Sequence, residues 1–326
     1  VAPEQLAKRR KREGAMILFT FPGQGAQRPG MLHSLPDHPA VTRTLEQTCD
    51  ALHDDPFTLD TAKALESTVA VQLCLLIAGV AMARFFLAHN AGPHMVAGLS
   101  IGAYPAAVIA GALGYSDAVR LVAQRGKLME SAYPRGYGMT AIVGLDRYQL
   151  EPLIARIHTP AAPVYLANLN ADRQLVIAGA DDAMLLVMRL ALGHGAVKVE
   201  RLAVGVPSHC ELFDAAAVEM RAAFSRVAIQ RPQLTYLSSS IARAVFEPGS
   251  IRDDLANNMA RQVHWFETAR LSWERGARFA LEMPSGSVLT NLTTPVFTDG
   301  QAVCCDSNRM DTLLALLSRE HAQLRH

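Results

Sequence analysis

The chain has almost no excess of charge: 31 Lys and Arg stand against 30 Asp and Glu in 326 residues, for a formal net charge of +1. That balance excludes the basic footprint of a protein that tracks nucleic acid or adheres to an anionic membrane surface. The local exception, KRRKRE at positions 8–13, is read as a solvated extension ahead of Met16 rather than a polybasic binding segment. Residues 1–15 are accordingly expected to form a disordered tail outside the fold. Cysteine is scarce and unpatterned. The five thiols (Cys49, Cys74, Cys210, Cys304, Cys305) are odd in number and show no C-x-x-C spacing, so neither a disulfide framework nor a zinc site is expected. Free thiols in a reducing compartment fit that usage. H-E-x-x-H and paired His/Cys spacings are also missing, which leaves no metal-ligating pattern. There is no secretory pattern, because the short run MILFTF leads straight into Pro-Gly. The longest apolar run, VAVQLCLLIAGVAMARFFLA, is interrupted by Gln72 and Arg84 and reads as a buried core helix rather than a bilayer span. A cytoplasmic protein is the expectation.

What is present is an apolar half, 50% of residues, enough to build one large domain and a smaller one. Met16 to Phe21 is a continuous apolar run ended by PGQGAQ, as expected of a central parallel strand feeding a loop. A polar, helix-like region follows to about residue 65, then the long apolar helix, then a second short strand, HMVAGLS. From about Tyr137 the order becomes strand (GMTAIVGL), helix (DRYQLEPLIARI, opening on an N-cap aspartate), two strands (PVYLANLN, RQLVIAGA), helix (DDAMLLVMRLALGHG) and strand (AVKVERLAV). That β-α-β-β-α-β series is the ferredoxin-like split unit. Later runs, PQLTYLSS, ARFALEMPS and AVCCD, read as further strands of a larger sheet, so the split unit reads as an insertion. The expected class is α/β: a large domain with a parallel sheet at 16–136 and 205–326, and a ferredoxin-like small domain at 137–204. No internal repeat and no low-complexity segment is visible.

Gly98-Leu99-Ser100-Ile101-Gly102 matches G-x-S-x-G, the nucleophile elbow. At average composition such a match arises by chance in roughly one chain of this length in ten. Its position, where a hydrophobic strand meets a helix, is the context the motif requires. That helix, starting at Ile101, would direct unpaired first-turn N–H groups at the serine, making the Ile101 N–H an oxyanion donor. The loop FPGQGAQ holds Gly23-x-Gly25 but Arg28 stands where a third glycine belongs, so the dinucleotide fingerprint fails; no G-K-[ST] follows either. The Gln24 N–H is a candidate second oxyanion donor. Among eleven histidines, His209 in GVPSHCEL stands where the chain must re-enter the large domain, and is either the base for Ser100 or a structural histidine.

Six separated segments in order, FPGQGAQ, GLSIGAYPAAVIAGAL, AQRGKLM, NLNADRQLVIAG, VPSHCELF and SGSVLTNL, resemble the malonyl-CoA:acyl-carrier-protein transacylase family over nearly the whole chain from Met16. The resemblance implies an α/β-hydrolase-like large domain with a ferredoxin-like insert. It implies Ser100 as the acylated nucleophile, His209 as its base, and Gln24 and Ile101 as backbone donors of the oxyanion hole. Arg125 in QRGKLM then corresponds to the arginine that grips the malonyl carboxylate, although a lone helix arginine taken by itself reads as a solvated surface charge. Asn258 in LANNMARQVHW corresponds to the position whose backbone carbonyl orients the histidine, which would account for the lack of a triad aspartate. Malonyl-CoA is the implied donor substrate, a carrier-protein prosthetic thiol the acceptor, and no bound cofactor or metal is implied.

Two positions depart from the family's usual elbow, which carries histidine before the serine and glutamate after the second glycine; here Leu99 and Ala103 stand there. With Tyr104-Pro105 and VYLANLNADRQLVIAG, they make the chain most similar to the malonyltransferase (epsilon) subunit of malonate decarboxylase, which loads a small carrier subunit. A transacylase of fatty-acid or polyketide synthesis shares every site residue and differs in its carrier. A serine esterase of α/β-hydrolase type would require an acid between Ser100 and His209 in chain order. A non-catalytic assembly subunit is a further alternative, motivated by Leu99.

Overall fold

The computed structural model describes residues 16–133 and 135–323; the basic segment at 8–13 lies outside them. In chain order the strands are β1 (Met16–Phe21), β2 (Met95–Gly98), β3 (Tyr137–Val143), β4 (Val164–Ala171), β5 (Gln174–Ala180), β6 (Lys198–Arg201), β7 (Thr235–Ser238), β8 (Arg243–Val245), β9 (Ala277–Glu282) and β10 (Gln301–Cys304). The helices are α1 (Pro39–Leu52), α2 (Thr68–Ala88), α3 (Ala103–Ile109), α4 (Tyr115–Ala132), α5 (Arg147–Ile157), α6 (Asp181–Gly193), α7 (Asp214–Phe224), α8 (Pro248–Asn257), α9 (Trp265–Glu274), α10 (Val288–Thr293) and α11 (Met310–Gln323).

Six strands form one sheet in the order β10-β9-β1-β2-β7-β8, parallel throughout except where β8 turns back along β7. Burial explains why its centre reads as uninterrupted apolar sequence: every residue of β1 after Met16 and every residue of β2 is buried, so both faces are covered. Helix α2 is buried on all sides against α1, α3 and α4, and 89% of its most apolar window is inside the protein, as expected of a core helix. Its first turn is capped by the Ser67 side chain, which accepts from Val69 N–H.

The remaining four strands form a second sheet, β4-β5-β3-β6, antiparallel throughout, with α5 and α6 as its helices in the β-α-β-β-α-β order anticipated from sequence. The N-cap aspartate of α5 is confirmed and is half of a capping box: Asp146 accepts from Gln149 N–H while the Gln149 side chain accepts from Asp146 N–H. Period-two alternation divides the strands between two cores. Ile142, Leu175 and Ile177 pack under α5 and α6, whereas Met139, Val176 and Ala178 join the core of the first sheet. Strand β4 is pinned to the loop before α9 by Val263 N–H on Ala167 O and Leu169 N–H on Val263 O.

Three sequence readings are corrected. The helix-like region to residue 65 is one helix, α1, followed by short 3-10 turns at Pro56–Asp60 and Ala64–Glu66. The strand read through AVKVERLAV stops at Arg201, because Val204 and Val206 turn away to bury in the main core. The helix expected directly after Ser100 is a 3-10 turn, Ser100–Gly102, before α3 begins.

Candidate active site

The carboxyl ends of the parallel strands converge on one edge of the first sheet, where such sheets hold ligands. Strand β2 delivers Ser100 there on a turn that only glycine flanks allow. A β-carbon on Gly98 would lie 2.0 Å from the carbonyl carbon of Gly102, and one on Gly102 would lie 2.1 Å from Phe21 O. Ser100 itself has φ = 56°, a left-handed conformation that costs a non-glycine residue energy and is held by its surroundings. The Ser239 hydroxyl donates to Gly98 O at 2.8 Å, and Asn258 Nδ2 donates to Ser100 O at 3.1 Å. The first bond of the following turn runs from Gly102 N–H to Leu99 O, so the Ile101 N–H lies ahead of it on the serine side. The Gly23–Gln24 loop, leaving β1 next door, lies against this elbow: a β-carbon on Gly23 would stand 3.6 Å from Ser100 Cβ.

His209 also adopts a left-handed backbone, φ = 67°, and is buried. Its N–H donates to Met259 O at 2.7 Å, and its Nδ1 lies 2.8 Å from Asn258 O and 3.0 Å from Arg261 O. Carbonyl oxygens only accept, so Nδ1 carries the ring proton and Nε2 keeps its lone pair. Burial, reinforced by the Arg125 charge, pushes its pKa down to about 4, against the pull of the two carbonyls. His209 is therefore neutral at pH 7 and competent as a proton acceptor. It is oriented without a carboxylate, the element an esterase triad would supply. His209 and Ser100 line the same cavity, with no hydrogen bond between their side chains among the described residues; catalytic contacts of this kind commonly tighten only around substrate.

Arg125, on α4, is not a surface charge. It is 1% exposed, and the neighbouring polar groups are neutral: Nη1 donates to Gln72 Oε1 at 2.7 Å, and Nη2 to Ser100 Oγ and to Asn258 Oδ1, both at 3.2 Å. Its Nε has no partner, and no carboxylate pairs with it among the described residues. Burial lowers its pKa to about 10, which leaves it cationic at neutral pH. A buried cation with no counter-ion is costly. The Nε–Nη2 edge of the fork can receive a carboxylate in bidentate fashion, so this guanidinium can take an anion beside Ser100. Gln72, which sequence reading treated only as an interruption in the apolar run, is the anchor that sequence reasoning missed. Its signal was a glutamine in the second turn of a core helix whose only other polar interruption in that run is Arg84.

Asn258 joins all three groups, through its backbone to His209 and through its amide to Arg125 and Ser100. The cavity, ≈ 230 Å³, has Gly23, Gln24, Ser100 and His209 on one wall and Met139 and Val176 of the second sheet on the other. Asn168 and Asn170 of β4 also line it, and the Oδ1 atom of each is buried without a donor. No cluster of three or more metal-ligating side chains occurs among the described residues.

Comparison with known proteins gives this arrangement its family: the acyl transferase domain matches residues 18–325. The chain belongs to that family. This acyl transferase is 36% identical over 292 residues to the malonyl CoA-acyl carrier protein transacylase of Haemophilus influenzae, covering 87% of this chain and 93% of that protein. The protein of the same name from Bacillus subtilis strain 168 is 32% identical over 285 residues, 86% of this chain and 90% of the relative. Among solved structures, FabD from Acinetobacter baumannii superposes with a TM-score of 0.88 at 32% identity, covering 95% of this chain and 99% of that one. A malonyl-transacylase solved in complex with a type II PKS acyl-carrier protein superposes with a TM-score of 0.87 at 32% identity, covering 94% and 100%. These likenesses bear out the expected α/β class with its parallel sheet, and the expectation of an acyltransferase enzyme.

Proposed function

We propose that this acyl transferase moves a malonyl group from malonyl-CoA to a carrier-protein thiol through a malonyl-Ser100 ester. The observation that carries the reading is Arg125, a buried, carboxylate-free guanidinium 3.2 Å from Ser100 Oγ. It matches an acyl group whose far end is a carboxylate. His209 Nε2 accepts the Ser100 proton as Oγ attacks the thioester carbonyl, and the Gln24 and Ile101 N–H groups hold the oxyanion. Collapse breaks the C–S bond, and the CoA thiolate leaves with the proton returned by His209. A carrier thiol then attacks the ester by the reverse path and regenerates Ser100. The unpaired Asn168 and Asn170 carbonyl oxygens offer acceptors for the amide N–H groups of a pantetheine arm. The names of the relatives agree with the donor and the acceptor class.

Within this reading we take residues 137–204 as a ferredoxin-like domain inserted in an α/β-hydrolase-like one at 16–136 and 205–326, supported by the two sheets and their strand orders. Leu99 and Ala103 favour the carrier subunit of malonate decarboxylase as acceptor, while the curated relatives favour the carriers of fatty-acid and polyketide synthesis; offering both carriers in competition separates the two. The mechanism itself is tested by intact mass after incubation with malonyl-CoA. A malonyl adduct is expected on the wild type and not on Ser100→Ala. A wild type that stays unmodified overturns it, and would leave the hydrolase and non-catalytic alternatives.

A further inference from the structure

We infer that Asp306 is a positioning residue for the loop that carries Gln24, fixing that N–H beside Ser100; this rests on the reading of Gln24 as an oxyanion donor. Strands β10, β9 and β1 are parallel neighbours, with Glu282 in register with both Cys304 and Thr20. The segments leaving their carboxyl ends therefore emerge side by side: Asp306 after β10, Ser285-Gly286 after β9, and the Gln24 loop after β1. One oxygen of Asp306, Oδ2, receives both Arg28 Nε at 3.2 Å and Gly286 N–H at 2.9 Å. The fully buried Ser285 hydroxyl donates to Ala26 O. Gln24 is thus suspended between two fixed ends, the β1 terminus, where Leu99 N–H donates to Phe21 O at 3.0 Å, and the anchors at Ala26 and Arg28.

The location of the carboxylate argues that the tether has a use beyond packing. Burial raises the pKa of Glu282, and the nearby Asp306 carboxylate adds a smaller push in the same direction, an unfavourable like-charge contact for a purely structural acid. Glu282 in turn accepts from Leu289 and Thr290 N–H at the start of α10, whose Val288 and Leu289 line the cavity. Two acids at adjacent strand ends thus hold two edges of the same site.

The test is a steady-state series on the full chain with malonyl-CoA and a carrier protein. Asp306→Asn keeps an acceptor for Gly286 but loses the charge for Arg28; Asp306→Ala loses both. Deleting an oxyanion donor outright lowers kcat by about 10²- to 10³-fold, so loosening its loop should cost part of that, ~3-fold for Asn and ~10- to 30-fold for Ala, with KM within ~2-fold. Arg28→Gln should reproduce the Asn value, and the double variant Arg28→Gln/Asp306→Asn should be no slower than either single one, since all three cut the same link. These two variants carry the test if Asp306→Ala does not fold. Wild-type kcat in Asp306→Asn and Arg28→Gln, a loss residing in KM, or additive effects in the double variant would overturn the tether alone. An unmodified Ser100 in the wild type would overturn it together with the proposed function.

Discussion

Replacing Arg125 by alanine should erase discrimination between malonyl and acetyl groups while leaving acetyl transfer nearly intact. Arg125 Nη2 contacts two neutral acceptors at 3.2 Å, long for a charged donor, and Nε contacts none. A malonyl carboxylate on the Nε–Nη2 edge gains one wholly new charge-assisted bond and upgrades another, against the cost of desolvating itself. A net of about 1.5–3 kcal/mol is the magnitude of one such bond, equivalent to a preference of roughly 10- to 150-fold. Arg125→Ala should therefore lower kcat/KM for malonyl-CoA by about that factor and alter the acetyl-CoA value by less than ~3-fold, both read from single-turnover acylation of Ser100. The comparison belongs at pH 8. The Arg125 charge helps to depress the His209 pKa, so removing it raises that pKa and would lower the neutral fraction of the base in more acidic buffer. Equal slowing of both acyl groups would refute the clamp and assign Arg125 to the serine instead.

The acylation rate of the wild type should be flat from neutral pH down to about pH 5 and fall on an acid limb centred near pH 4, where His209 takes up its proton. The same depressed pKa makes His209 stabilise the fold at pH above its ordinary value of 6.5; as pH falls from there toward 4 the unfolded chain binds the proton first, and urea midpoints should drop across that window. Asn258→Asp would set a carboxylate against Arg125 Nη2 in place of the amide oxygen, so KM for malonyl-CoA should rise at least ~10-fold and the acid limb should move upward. Gln72→Leu removes the 2.7 Å anchor of Nη1 but not the charge, and should raise that KM more modestly, by ~3- to 10-fold, with the acetyl value unchanged.

Legibility followed the range of the interactions. Strand β1 was readable to the residue because a strand covered on both faces must be apolar at every position, and the elbow was readable because its geometry admits only glycine at 98 and 102. The second sheet was readable as a chain of local signals, the N-cap at Asp146 above all. What lay beyond reach was contact between distant segments. Nothing near Arg125 in sequence shows that Gln72, 53 residues away, and Asn258, 133 residues away, surround it, and its helix context suggested a surface charge until the family resemblance spoke otherwise. Likewise Arg261, whose carbonyl shares the His209 proton with Asn258, has no mark in the sequence, since any residue has a carbonyl. Strand β8 was missed because three residues at a sheet edge carry no periodicity.

The use of carbonyls in place of a triad acid follows from the same geometry. Asn258 touches His209 through its backbone and the guanidinium through its amide, so one residue both orients the imidazole and faces Arg125. An aspartate orienting the imidazole from there would stand within reach of a buried cation that has no other counter-ion among the described residues, and would neutralise the charge proposed to hold the substrate. Two neutral carbonyls fix the same tautomer without that competition. Their upward pull on the His209 pKa is outweighed by burial and by the Arg125 charge, so the ring stays uncharged and the cation and the base can share one small cavity at neutral pH: Arg125 disfavours a protonated His209, and a neutral His209 does not compete with Arg125 for a carboxylate. In the proposed mechanism, binding of the malonyl carboxylate at Arg125 would offset that repulsion and raise the affinity of His209 for a proton at the step where it takes one from Ser100. On this account the negative end of the substrate does more than select it, because its arrival tunes the base.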